Sequence, residues 1–239
     1  MDIDPIVRQQ LLDEVVTAPT KSELFKRKMK VYSWEWTLIF SLFLKRVIDI
    51  AGSLTAVLIL SPVFIITALS IYLHDKGSVL FVQKRVGKNG RLFDMYKFRS
   101  MVVNADKIKE QILESNESSD GVIFKMKKDP RVTPIGRFIR KFSIDELPQL
   151  LNVLKGDMSL VGPRPPLPAE VAQYTLEQRK RLHVRPGITC VWQVSGRSDI
   201  PFTQQVQLDL DYIKSRSFFT DVKLLLKTIP AVLLGKGGY

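Results

Sequence analysis

The sequence predicts an α+β protein, mostly helical, with a re-entrant membrane anchor of helix-break-helix form. A cytosolic domain with a small β-hairpin and interfacial amphipathic helices follows. Three observations carry this. An almost uncharged run from Val47 to Leu73 is broken near its middle by Ser61-Pro62. Asn89-Gly90 separates two runs of extended character. Elsewhere apolar residues recur at helical spacing, most clearly at Leu147, Leu150, Leu151 and Leu154. These signals divide the chain into a partly interfacial N-terminal extension over 1–40, an anchor over 41–75, and a membrane-apposed domain over 76–239.

Residues 1 to about 30 are polar and mixed in charge, ending in Lys26, Arg27, Lys28 and Lys30, and predict a partly ordered lead-in. Met1 to Glu14 is acidic and polar, so no signal peptide is expected. Trp34, Trp36, Phe40 and Phe43 then suit a membrane interface. At about 27 residues, Val47 to Leu73 passes the length of a membrane helix, but the proline at 62 leaves two arms each too short for a straight span. Lys45 and Arg46 precede the run and Lys76, Lys84, Arg85 and Lys88 follow it, so both ends prefer the cytoplasmic side. A segment that dips into one leaflet and returns at Ser61-Pro62 satisfies both constraints, whereas the alternative, a Pro-kinked full span, leaves one basic flank outside.

The net charge of +12, from 36 Lys+Arg against 24 Asp+Glu, implies a polyanionic partner: a nucleic acid, an anionic membrane face or a phosphorylated substrate. The single cysteine, Cys190, excludes an internal disulfide and a cysteine metal cluster. His74 and His183 read as packing or surface residues.

Asn89-Gly90 is a hairpin signal. A two-residue turn there would pair Val86 with Phe93, Arg85 with Asp94, and Phe81 with Phe98. A helix is expected from Val102 to Glu114 and a loop from Ser115 to Gly121. Further helices are expected over Leu167 to Leu182, around Leu208 to Tyr212, and over Val222 to Leu234, the last bent by Pro230 and amphipathic.

The chemistry centres on Phe142 to Pro165. Ser143 to Glu146 has the spacing of a capping box, but with Ser143 as N-cap, Pro148 would fall inside the helix and leave a carbonyl unbonded. A start near Asp145 with a stop at Lys155-Gly156 fits better, and the pair Asp145-Glu146 then reads either as a cap or as catalytic carboxylates. The segment Lys125 to Lys141, with Lys127, Lys128, Arg131, Arg137 and Arg140, feeds cations toward that pair, which suits a phosphate or diphosphate. Gly162 and Arg164 in the loop Ser159 to Pro165 allow close backbone approach and bidentate phosphate contact. Arg85, Arg185 and Arg197 are further candidates to bind phosphate or nucleotide, although Arg185, Arg197, Asp209 and Asp211 also read as structural pairs.

Several ordered motifs together resemble one family. They are Lys45-Arg46-Val47-Ile48-Asp49 with Ser61-Pro62, Gln83-Lys84-Arg85-Val86-Gly87, Tyr96-Lys97-Phe98-Arg99-Ser100-Met101, Asp145-Glu146-Leu147-Pro148-Gln149, and Gly156 through Pro165. Pro186-Gly187-Ile188-Thr189 and Gly237-Gly238-Tyr239 add support. The chain from about Phe43 onward is similar to the bacterial sugar transferases, the monotopic polyprenyl-phosphate phosphoglycosyl transferases that begin surface glycan assembly.

The resemblance implies a magnesium-dependent (Mg2+) reaction in two steps at the cytoplasmic face of the bacterial inner membrane. Asp145 matches the family's nucleophile, which attacks the β-phosphorus of a UDP-sugar, releases UMP and then yields its sugar-phosphate to polyprenyl (undecaprenyl) phosphate. Glu146 matches the partner implicated in metal binding, Arg164 fits a diphosphate contact, and Asp157 and Asp209 match family positions that join the metal candidates. The expected partners are the UDP-sugar, polyprenyl phosphate and membrane lipids, with a homodimer admitted and nucleic acid not expected. The competing reading is a non-catalytic membrane adaptor whose basic surface binds anionic lipid or nucleic acid.

Overall fold

The computed structural model describes residues 20–105, 108, 129–196 and 200–233. Two compact units meet between Arg46 and Val47, inside one helix.

Helix α1 (Lys21–Ile59) runs for 39 residues. Residues 1–19 of the expected lead-in lie outside the described residues, and its remainder from Lys21 is helical. Thr20 Oγ1 accepts from Glu23 N–H at 3.2 Å while the Glu23 carboxylate accepts from Thr20 N–H at 2.9 Å, a reciprocal box that lets Lys21 to Lys30 begin a helix. In this first unit Phe25, Trp36, Phe40 and Phe43 are exposed.

In the second unit, the arm ending at Ile59 and helix α2 (Ser61–Asp75) meet at 61°. Among the described residues no single helix is long and apolar enough to cross a membrane, and only the two arms of this bent pair taken together reach that length and hydropathy. Pro62 lies in the first turn of α2, where its missing N–H is tolerated. The carbonyl that an N–H at position 62 would serve is that of Leu58, and Ser61 Oγ donates to it at 2.8 Å. Leu58, Ile59, Ile65, Ile66 and Leu69 are exposed around the break. On the other side of α1, Asp49 is buried and its Oδ1 accepts from Ser159 Oγ and Leu160 N–H, each at 3.0 Å.

Strands β1 (Leu80–Val86) and β2 (Leu92–Phe98) form the expected antiparallel hairpin with a different register: Val86 faces Leu92, Arg85 faces Phe93, and Lys84 faces Asp94. Asn89 and Gly90 are both left-handed (φ 55° and 80°), as an Asn-Gly turn requires, but Lys88 joins them. Gly90 N–H donates to Gly87 O and Arg91 N–H to Lys88 O, giving a three-residue connection that displaces every pair by one. Lys84, rather than Arg85, therefore meets Asp94, at 2.8 Å.

Of the expected 102–114 helix and 115–121 loop, almost all lies outside the described residues. Helix α3 (Pro134–Lys141) is capped by Thr133, whose Oγ1 accepts from Gly136 N–H at 2.9 Å. Helix α4 (Gln149–Lys155) ends at Gly156, left-handed at φ 97°, the stop expected there. Beyond it the structure departs from the expected loop and single hairpin. β3 (Ser159–Val161) pairs in parallel with β4 (Gly187–Thr189), and a Cβ on Gly187 would lie 2.1 Å from Gly162 N, so two glycines permit the approach.

The expected Leu167–Leu182 helix is broken into α5 (Pro168–Ala172), α6 (Leu176–Arg179) and a 3-10 turn (Lys180–His183). The interruption has a local cause: Thr175 and Gln178 form a new capping box, and Tyr174 turns into a core with Phe202, Val206 and Leu210. Helices α7 (Phe202–Ser215) and α8 (Phe218–Leu233) complete the described fold, Pro230 lying inside α8.

The core that positions the acidic turn joins Ile71 of α2, Phe98 of β2 and Ile139 of α3, with Phe64, Ile144 and Leu147 against it. A second core packs Phe93 and Met95 on Val153 and Met158. Gly136 is pressed against β2's continuation: a Cβ there would stand 1.9 Å from Ser100 O, a backbone atom that no rotamer change can move. Gly136→Ala is therefore expected to cost about 1–3 kcal/mol, read as a lowered melting temperature in detergent.

Candidate active site

Ser143 adopts a left-handed conformation (φ 53°), and Ile144–Glu146 follow as a single 3-10 turn. This corrects the expected α-helical start near Asp145: the α-helix begins at Gln149, with Pro148 at its N-cap, where a missing N–H costs nothing. The capping box is not formed. Ser143 makes no side-chain cap bond, and Glu146 turns to a cation instead. Because Ile144 and Leu147 pack into the core beneath, the two carboxylates between them are fixed at its edge.

That cation is Lys97 of β2, whose Nζ lies 2.7 Å from Glu146 Oε1 and 3.9 Å from Asp145 Oδ2. Arg164 Nη1 approaches the same Glu146 oxygen at 3.9 Å, and its guanidinium lies 5.9 Å from the centre of the Trp192 ring. Arg85 is buried and donates to Gln83 Oε1 at 2.8 Å and to Pro165 O at 3.0 Å, so it braces the Pro-Arg-Pro loop. Burial and repulsion from Arg164 lower its pKa to about 10. Arg85, Lys97, Glu146, Gln149, Arg164 and Gln193 all line one pocket.

Burial, and then the like charge of Glu146, push the Asp145 carboxyl up to about 6 against the pull of Lys97. Burial also opposes ionisation of Glu146, but Lys97 and Arg164 outweigh it and hold that carboxylate far below the usual range, near 2. The turn thus holds one firmly ionised carboxylate beside one that gains and loses a proton near neutrality. Such a carboxylate has the chemistry to act as a nucleophile or proton acceptor, and its neighbour is an anion able to share a cation.

The structure brings together Asp145, Glu146, Arg164 and Arg85, and separates the other candidates. Arg185 is exposed on the loop before β4 and is not among the pocket residues. Arg197 lies outside the described residues. Asp157 stands past the C-terminal end of α4, where Asn152 Nδ2 donates to it at 3.4 Å. Asp209 is buried and paired with Arg181, whose other terminal nitrogen donates to Tyr174 Oη at 3.2 Å. Among the described residues no three acidic, histidine or cysteine side chains gather as a metal group, so Glu146, Asp157 and Asp209 are not one ligand set. Asp209 is committed to Arg181 in the core.

Lys97, Gln149 and Gln193 were not among the candidates. Lys97 carried a readable signal: it follows Phe93 and Met95 at spacing two on the inward face of a strand, where a charge needs a partner. The glutamines, being neutral, carried none.

The family model described as bacterial sugar transferase matches residues 40–235. The chain is 49% identical over 207 residues to the galactosyl transferase CpsE of Streptococcus agalactiae, covering 86% of this chain and 46% of that protein. It is 44% identical over 202 residues to an undecaprenyl-phosphate galactose phosphotransferase of Salmonella typhimurium, covering 83% and 42%. To the exopolysaccharide production protein ExoY of Rhizobium meliloti it is 39% identical over 198 residues, covering 82% and 88%. The chain thus spans slightly under half the length of the first two relatives and most of the third.

Removing Lys97 tests the electrostatics of the turn. In Lys97→Met the Asp145 titration is expected to move above 6, visible in the carboxylate infrared band. A carboxyl whose folded pKa is raised is favoured protonated, so the variant should lose stability as pH rises through that value. Its unfolding free energy should therefore fall further below wild type at pH 8 than at pH 5, by on the order of 3 kcal/mol at the higher pH, read from denaturant melts at the two pH values.

Proposed function

The chain belongs to the bacterial sugar transferase family, and from that premise we propose that it moves a sugar 1-phosphate from a UDP-sugar to polyprenyl (undecaprenyl) phosphate. The observation that carries the proposal is a buried Asp145 next to Glu146, with Lys97 Nζ at 3.9 Å from the first and 2.7 Å from the second, where Glu146 lines a pocket with Arg85, Lys97 and Arg164.

In the first step an Asp145 oxygen attacks the β-phosphorus, the bond to the bridging oxygen breaks, and UMP departs with that bond's electron pair. The sugar-phosphate is left on the carboxylate. In the second step an oxygen of polyprenyl phosphate attacks the same phosphorus and expels Asp145 as a free carboxylate, giving the lipid diphosphate sugar. Lys97 and Arg164 are placed to spread the charge that grows on the phosphoryl oxygens. Above a pH of about 6 Asp145 is mostly ionised and competent to attack.

A resident magnesium ion fits the donor chemistry in a limited way. Magnesium is held by one or two carboxylates with substrate phosphates and water, and Glu146, which lines the pocket, would hold it in exchange for part of its contact with Lys97. Bound there, the ion would offset the diphosphate's charge. Asp209 is unsuited to help, being paired with Arg181.

The lipid acceptor explains the anchor. We place the catalytic domain on the cytoplasmic face of the bacterial inner membrane, with the bent pair dipping into the membrane and returning. The 61° bend and the exposed apolar residues around it support this. The names of the relatives point to galactose as the sugar and to exopolysaccharide synthesis as the purpose.

Two outcomes test the reading. Pro62→Leu restores the N–H that Leu58 O now lacks and is expected to straighten the anchor toward a full span. Single cysteines at Lys21 and Lys214, in a Cys190→Ser background, should then label from opposite sides of a sealed vesicle. Labelling from one side, as expected of the unaltered proline, would count against the bend being set there. The purified chain, given magnesium, undecaprenyl phosphate and a panel of UDP-sugars, should release UMP from one of them. Asp145→Asn should remain membrane-bound and lower the rate by at least about 1,000-fold. A membrane-bound protein with no release from any nucleotide sugar would favour the adaptor.

A further inference from the structure

The pocket beside Glu146 has two kinds of polar lining. Arg85, Lys97 and Arg164 carry positive charge, while Gln149 and Gln193 are neutral amides. Gln193 lies in the 3-10 turn Trp192–Val194, next to the indole that Arg164 covers. Its Oε1 is shielded from solvent and has no hydrogen-bond partner among the described residues. A shielded amide oxygen is rarely left so, and because Gln193 lines the pocket, a rotation of its side chain would bring the oxygen's lone pairs to a bound donor.

The chemistry of that oxygen narrows what it can meet. An amide oxygen only accepts. The ionised phosphate oxygens of a nucleotide sugar also only accept, so Gln193 Oε1 facing them would be repulsive, whereas the three cations suit them. Its partner must be an O–H or N–H elsewhere on the donor. Two sources exist, the sugar hydroxyls and the imide N–H of uracil, and the connectivity separates them. The sugar is bonded to the β-phosphate that Asp145 must reach beside Glu146, whereas uracil lies beyond a second phosphate and a ribose. Gln193 shares its pocket with Glu146 and so belongs to the sugar end.

We infer that Gln193 accepts a hydrogen bond from a hydroxyl of the transferred sugar through Oε1, and so helps determine which UDP-hexose is used. This rests on the function proposed above. A site that pairs a polar group with one hydroxyl discriminates against a sugar presenting that hydroxyl differently, because the oxygen is then left unpaired.

The experiment compares the full membrane-bound chain with Gln193→Met, which keeps length and loses the acceptor. UMP release is followed from UDP-galactose and UDP-glucose, and UDP serves as a competitive inhibitor without a sugar. The expected result is a rise of about tenfold in KM for the preferred donor, with the kcat/KM ratio between the two donors moving toward one. UDP inhibition and the magnesium requirement should be unchanged.

An unaltered donor ratio overturns the inference, as does an equal loss for both donors with weakened UDP binding, which would assign the oxygen to uracil. A shifted magnesium requirement overturns it in favour of a metal ligand. If Gln193→Met melts below the assay temperature, Gln193→Leu, which also lacks the acceptor, is decided by the same donor ratio. Absence of release from every donor by the unaltered protein would overturn both readings. Loss in Asp145→Asn with no change of donor ratio in Gln193→Met would overturn this one alone.

Discussion

Two adjacent carboxylates in one buried turn are the constraint on which the site depends. Like charges about 4 Å apart repel by roughly 4 kcal/mol even at an effective dielectric constant of 20, and burial adds to that. The turn is tenable because cations answer both, foremost the Lys97 ammonium, close to Glu146 and farther from Asp145, with Arg164 beside Glu146. That asymmetry divides the labour of the pair. Glu146 receives most of the stabilisation and stays ionised, and Asp145 is left to bear the cost of burial. An evenly placed cation would give two ordinary carboxylates and no residue poised near neutrality.

Lys97 can serve only because the hairpin and the acidic turn share a foundation. Phe98, its neighbour on β2, packs with Ile71 of α2 and Ile139 of α3, and the ring of Phe64 meets that of Phe98 edge to face at 5.5 Å. Ile144 and Leu147, which flank the acidic pair, join the same core. At the far end of α2 Asp75 pairs with Arg99, and on α1 Asp49 holds the first residues of β3. The arms proposed to enter the membrane are therefore bonded and packed to the elements that carry the chemistry. Movement of α2 would disturb the distances around Asp145 directly.

Much of this was legible in the sequence where a single residue type has few conformational options. Pro62 had to begin a helix or break one. Asn89-Gly90 had to turn the chain, and Gly156 had to stop α4. The two carboxylates could be singled out because acidic neighbours before an apolar run ask for an explanation. What escaped depended on how many residues a turn contains or on partners distant in sequence. One extra residue, Lys88, displaced the hairpin register. β3 and β4 are three residues each and lie too far apart for any period to announce them. The 167–182 segment has helical spacing throughout, but the Thr175 capping box prevails locally. Asp209 joined the metal candidates through the family resemblance, and its reading as half of a structural pair holds, with a partner, Arg181, that stands 28 positions away and that only the fold brings near.

The arginines show why residue type alone could not assign roles. Arg85, Arg164, Arg181 and Arg185 are equal as letters, and the fold gives each a different task. Arg181 is buried against Asp209 and Tyr174, and Arg185 is exposed away from the pocket. Arg85 lines the pocket but has directed its donors to Gln83 and Pro165, so its charge contributes to the field while its hydrogen bonds hold the loop. Arg164, on the loop that Arg85 braces, is more than a third exposed, and its contacts to Glu146 and Trp192 are long. A guanidinium held in place over an indole, with its fork of N–H groups not consumed by short bonds to Glu146, is suited to receive a diphosphate. The rigidity of Arg85 and the availability of Arg164 are thus two halves of one arrangement. Loss of the buried arginine would harm binding by misplacing the exposed one.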